Sequence, residues 1–199
     1  MGTRNLTCVY LDGDYRVAQY GQWDGYPQGQ GLTCLEFLRS MDEERFKEQL
    51  QKRSFASRDY IRGIYAAFGA QGGMISADDA DRLGAKFPEY HRNLAADILK
   101  MIMDDKVSML LKSDLNFAAD SLFCEWAYVI DFDTRTFEVY EGFNQKPLTE
   151  SDRFFFLEEE SKKDWREERY HPVKLVRSWS LDDLPTVEEF LNTFEEEIE

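Results

Sequence analysis

The chain has 199 residues, of which 43 % are hydrophobic, 15 % aromatic and 32 % charged. That suffices for one domain with a sizeable core. The 39 acids against 24 bases give a net charge of −15, which excludes a duplex-binding protein and a polybasic membrane-surface protein, because both need a basic face.

Asn5 to Leu11 and Tyr15 to Tyr20 are rich in Val, Tyr, Thr and Leu, and Asp12-Gly13 lies between them. Gly accepts the positive φ of a tight turn, so the pattern predicts a hairpin. GQWDGYPQGQG (21–31) then holds four of the twelve glycines and cannot be regular structure. Capping-box patterns at Thr33–Glu36, Ser40–Glu43 and Ser76–Asp79 predict three helix starts. YIRGIYAAFG (60–69) reads as an apolar helix or strand. NLAADILKMIMD (93–104) has helical spacing, and 113–122 suggests a short helix.

The C-terminal part changes character. EWAYVIDFD (125–133) and TFEVYEGF (136–143) alternate around Asp133-Thr134-Arg135 and predict a second hairpin. RFFFL (153–157) reads as a further strand, EEESKKDWREERY (158–170) as a solvated helix or exposed loop, and HPVKLVRSWSL (171–181) as a strand. A last helix, about 185–197, would bury Val187, Phe190, Leu191 and Phe194 on one side. Segregated hairpins and helices imply an α+β fold with an antiparallel sheet built from both hairpins, and a helical insertion over about 32–122 layered on one face. No repeat or linker divides residues 1–199, so a single domain is expected.

No apolar run approaches the roughly 18 residues of a membrane span, so no membrane partner is expected. The opening lacks the apolar core of a signal peptide, and Leu6 breaks a myristoylation motif. Cys8, Cys34 and Cys124 are odd in number and lack CxxC spacing, so the expected compartment is the reducing cytoplasm. With His91 and His171 as the two histidines, no metal centre and no cofactor are expected. Asp131 and Asp133 form a D-x-D pair, yet two carboxylates are too few for a cation cage.

The glycine-rich loop is the candidate site. Gln22, Trp23, Asp24, Tyr26, Gly29 and Gly31 place aromatic rings and a carboxylate among glycines, ahead of a helix N-terminus. Its backbone N–H groups would suit an anion, and its rings a planar ligand or a protein partner. Alternatively Trp23 and Tyr26 simply plug the sheet edge. A hydrolase would use Asp24, or Cys34 with a histidine, or a nucleophile such as Thr3 exposed by processing. Residues 181–199 carry eight acids and no base, more than half of the net charge. They either dock a basic partner or form a solvated face.

MGTRNL, YGQWDGYPQGQG and EWAYVIDFDTRTFEVYEGF resemble a family of uncharacterised phage, bacterial mobile-element and fungal proteins. The match lies at Tyr20, Asp24, Tyr26, Pro27, Gly29 and Gly31, and covers the first ~35 residues and 124–148. The resemblance implies a small regulator or inhibitor of host machinery over a metabolic enzyme. The expectation is thus a binding protein that takes a protein partner or small ligand through loop 21–31. The acidic C-terminal helix is a second surface. The alternatives are a hydrolase and a structural subunit of an oligomer.

Overall fold

Two short turns organise the chain. Asp12 and Gly13 take φ of 56° and 78°, the left-handed pair that a two-residue hairpin turn requires. The computed structural model describes residues 2–72, 74–163 and 168–195. In chain order the elements begin with β1 (Asn5–Leu11), β2 (Asp14–Gly21), α1 (Leu32–Ser40), α2 (Glu43–Gln51) and β3 (Ser54–Phe55). Then come α3 (Arg58–Ala67), α4 (Ala77–Lys86), α5 (Asp97–Met103) and β4 (Leu110–Leu111). The C-terminal part holds β5 (Trp126–Asp131), β6 (Thr136–Glu141), β7 (Lys162–Lys163), β8 (Arg169–Tyr170), β9 (Lys174–Ser180) and α6 (Val187–Glu195).

The fold is α+β. Five strands form one sheet in the order β2-β1-β5-β6-β9. Neighbours are antiparallel except at the joint between the two hairpins, where β1 and β5 run parallel. Alternation along the strands gives the sheet two apolar faces. Val9, Tyr128, Ile130, Phe137 and Val139 point to one face, where α1, α2, α5 and α6 contribute Leu35, Phe46, Leu99 and Phe190. Leu6, Cys8, Val129 and Tyr140 point to the other, which is covered by Ala118, Leu148, Phe154, Leu157 and Val173 from irregular segments and 3-10 turns. Of the 32–122 stretch, α1, α2 and α5 lie on one face as expected, whereas its 3-10 turn Leu115–Ala119 covers the other. α3 stands outside it, with no buried residue.

Several local expectations are corrected. Thr33 is not a cap: Gly31 already has helical φ and ψ of −60° and −47°, and the Thr33 hydroxyl donates back to Gly29 O. The cap of α2 is Asp42, which accepts from Arg45 N, while Ser40 closes α1 by donating to Glu36 O. Ser76 caps α4 as expected. Residues 153–157 form no strand but lead into a 3-10 turn, Phe155–Glu160. The charged run contributes the ribbon of β7 and β8, and its residues 164–167 lie outside the described residues. In α6 Phe190 and Phe194 are buried, but Val187 is exposed, and 196–199 lie outside the described residues.

Candidate functional site

The glycine-rich loop is held by groups from two strands and from the segment ahead of α5. The Asn5 side-chain amide donates to Gly21 O and Trp23 O, at 3.4 and 3.3 Å. The buried Tyr128 hydroxyl donates to Gly25 O at 2.7 Å, and Gly25 N donates to Thr3 O at 3.0 Å. Burial pushes the Tyr128 phenol well above its ordinary pKa, so it remains a donor. Gln22 N donates to Arg92 O, and the Gln30 side chain accepts from Ala96 N. Pro27–Gly31 then coil into a π-helical turn that runs into α1. Close approach explains two of its glycines. A Cβ at Gly29 would lie 2.2 Å from Asp24 O, and one at Gly31 would lie 2.8 Å from the Tyr128 ring.

This scaffold turns its aromatic side chains outward. Trp23 is 46 % exposed and Tyr26 53 %, while Gly25, Pro27 and Gly31 between and beyond them are buried. The edge-plugging alternative is therefore corrected: the backbone is the plug and the rings are the surface. One side of Trp23 rests on Gly2, where an added Cβ would meet the indole at 2.1 Å. Asp24, between the two rings in sequence and exposed, takes a left-handed conformation, φ 55°. Gln22 lies beneath, accepting from the Tyr20 hydroxyl at 2.7 Å.

Two further exposed aromatics lie at the same end of the sheet. Gly21, Asn5, Trp126 and Glu141 lie abreast across β2, β1, β5 and β6. The segments beyond these residues therefore emerge at one end of the sheet. With strands ~4.8 Å apart, they span about 15 Å. Phe123 and Phe143 lie in them and are 44 % and 54 % exposed. The Arg4 guanidinium sits 4.6 Å over the Phe123 ring and pairs with Glu125 at 3.5 Å. Phe143 has φ 52°, unusual for a bulky side chain, and its N–H donates to Ser121 O. Sequence reasoning missed Phe123 and Phe143. Their signal was positional: one precedes β5 and the other follows β6, at the end where β1 begins.

The opposite end of the sheet is charged. Asp133 accepts from Asp12 N and Gly13 N at 2.9 and 2.7 Å, tying one hairpin turn to the other. Arg135 bridges Glu43 and Asp182. The D-x-D carboxylates are thus engaged in turns. Asp131 accepts from Asp133 N and Thr134 N, and pairs with Arg153. Burial pushes the Asp131 carboxyl up, but the Thr134 N–H and Arg153 outweigh it and hold it below its ordinary range. Arg153 also binds Glu138, which accepts from the Tyr140 hydroxyl. The cavity of about 460 Å³ beside this network is lined by Tyr10, Tyr15 and Phe156. Its carboxylates already hold several donors each, so the network joins β5 and β6 to the segment before Phe154.

The other readings of the loop fare differently. The N–H groups nearest the helix start are already used within the loop: Gly29 N and Gly31 N donate to Tyr26 O, and Gln30 N to Asp24 O. Cys34 is fully buried and its thiol is pushed up to about 12, so it offers no thiolate. His171 contacts Glu158 and His91 lies 3.5 Å from Asp81, so neither histidine serves Asp24 or Cys34. Thr3 is 4 % exposed. Among the described residues no cluster of three or more His, Cys, Asp or Glu could hold a metal, and no helix is long and apolar enough to cross a membrane.

Set against models of protein families, curated proteins and solved structures, the chain matches none.

Proposed function

We propose that this is a binding protein whose docking surface is the aromatic end of the sheet, centred on Trp23 and Tyr26 and flanked by Phe123 and Phe143. One observation carries the reading. Four large aromatic side chains, each 44–54 % exposed, lie in segments at one end of the sheet, and two of them ride on a loop fixed by buried hydrogen bonds. Soluble proteins seldom leave such aromatics grouped in water without a use for them. Trp and Tyr on rigid backbone are the residue types that dominate binding hot spots, because little side-chain freedom is lost on docking. Asp24 and Phe143 both hold left-handed backbone at this end. Such strain collects at ligand clamps, where function maintains it.

The partner is a protein with an apolar pocket for the rings and a donor for Asp24. α6 offers a second surface: Phe190 and Phe194 take its inner side, and Glu188 and Glu189 face water. The likeness of the opening segment to phage and mobile-element proteins fits an inhibitor or regulator of host machinery. Arg4, over Phe123, sets the rim.

Affinity capture tests the reading, with the wild type compared against a Trp23→Ala/Tyr26→Ala variant of unchanged circular dichroism. Each hot-spot ring is worth about 2 kcal/mol, so the captured partner should bind the variant at least ~30-fold more weakly. Equal capture by both proteins contradicts the proposal. Sedimentation at two concentrations identifies a second copy of the chain as the partner, in which case the surface is an oligomer interface.

A further inference from the structure

A second candidate lies along α3, beside the β2 edge of the sheet. One stripe of that helix, Arg58, Ile61, Arg62, Tyr65 and Ala66, has the spacing of a single helical face. Such a stripe normally buries itself, yet here it lines a cleft of about 580 Å³ together with Ala70 and Lys112. A second cleft of about 370 Å³ adjoins it, sharing Arg58, Ile61 and Lys112 and ending at Ser113 and Asn116. The two clefts form one trough, with a polar end and an apolar end.

The charges at the polar end are placed by the fold. β3 and β4 pair in parallel, Phe55 beside Leu111, and Ala56 N donates to Leu111 O at 2.8 Å. Lys112 follows at once on one strand, and Arg58 follows through the Ser57 cap on the other. Lys112 pairs with Asp114 at 2.7 Å, and Asp114 also accepts from Tyr20 N. Burial works against the Lys112 charge, but Asp114 more than offsets it and keeps the amine a cation. Arg62 reaches Asp59 at 3.6 Å on the open surface. Among the described residues Arg58 has no carboxylate partner. In a chain of net charge −15, a cation left unpaired beside two others is a local reversal of sign.

The apolar end is equally unspent. Ile61 and Tyr65 are half-buried, Ala66 is exposed, and Tyr65 is anchored by its hydroxyl to Tyr90 O at 2.8 Å. The volume of the trough lies in the range of small-ligand sites. Its apolar stripe would cover a chain or ring, while Arg58 and Lys112 meet a negative head. We infer that the trough binds a monomeric amphiphilic anion, an acyl or aryl chain carrying a phosphate or carboxylate, with its head at Arg58 and Lys112 and its body along Ile61, Tyr65 and Ala66.

Calorimetric titration tests the inference with three ten-carbon probes below their micelle concentrations: decyl phosphate, decanol and decyltrimethylammonium. Decyl phosphate is expected to bind saturably at one site. Decanol should bind at least tenfold more weakly, and the cationic probe should not bind. Arg58→Glu should weaken decyl phosphate at least tenfold and leave decanol within threefold. Ala66→Trp, which fills the apolar end, should abolish both. Both positions are exposed, so the melting temperatures should stay within about 2 °C of wild type. Phosphatidylglycerol vesicles show the same head on a flat surface, and the net charge should prevent them from retaining the protein. No saturable decyl phosphate binding, equal binding of the cationic probe, or wild-type affinity in Arg58→Glu overturns the inference. Retention on vesicles with no monomer binding overturns it as well.

Discussion

Tyr128→Phe isolates the bond that fixes the loop. The substitution removes one oxygen and nothing else. The Tyr128 hydroxyl donates to Gly25 O at 2.7 Å, and both residues are buried. Without the donor, a desolvated carbonyl loses its partner, which costs about 2 kcal/mol. For a chain of this size the melting temperature should fall by about 4–8 °C. If the bond holds the loop, local opening of 22–31 becomes ~30-fold more frequent. Hydrogen exchange read by mass spectrometry reports this on peptides covering 22–31, where the amides of Gly25, Gly29, Gln30 and Gly31 are all bonded. Tyr140→Phe is the control. It removes a buried hydrogen bond to Glu138, 2.6 Å, on the opposite face of the sheet. It should destabilise the protein without selectively loosening 22–31. Wild-type exchange in 22–31 for Tyr128→Phe would refute the view that the rings stand on prefixed backbone.

Three further outcomes follow from the same geometry. Gly29→Ala would set a methyl 2.2 Å from Asp24 O; backbone must move, so urea unfolding should show a loss of about 1–3 kcal/mol. Phe143→Asn keeps a residue that tolerates φ 52° and gives up an exposed ring. Stability should hold or rise by up to ~1 kcal/mol while partner affinity falls, a trade-off that a purely structural Phe143 would not show. Arg153→Met leaves Asp131 and Glu138 facing each other half-satisfied, and should cost about 3 kcal/mol at pH 7. The folded Asp131 carboxyl lies below its unfolded value. Its stabilisation is therefore present above the ordinary carboxylate pKa and lost as pH falls through the folded value. The gap between wild type and variant should narrow below pH ~4; a gap constant from pH 7 to 3 contradicts the pairing.

Local chemistry was legible where one residue type has one use. Asp12-Gly13 marked its turn because the needed backbone is left-handed at both positions. Alternation marked β5 and β6 because each of their faces meets a different core. The parallel joint of β1 and β5 was not legible, since pairing across more than 100 residues leaves no local trace. Thr33 misled because the π-helical turn enters α1 already coiled, leaving nothing for a cap to do. RFFFL misled because Arg153 is drawn to Asp131 and Glu138, which bends the segment. At the site, Trp23 and Tyr26 declared themselves by chemistry, but their exposure did not. Phe123 and Phe143 look like core aromatics until the strand register puts them past the sheet's end. The stripe of α3 likewise reads as core in sequence, yet none of its residues is buried.

The most direct test of the docking surface is photocrosslinking in cells that express the protein. Benzoylphenylalanine replaces Trp23 in one variant and Asp12, at the other end of the sheet, in a second. A discrete protein adduct at position 23 and none at position 12 is the expected result. Adducts at position 12 with none at position 23 would contradict the account.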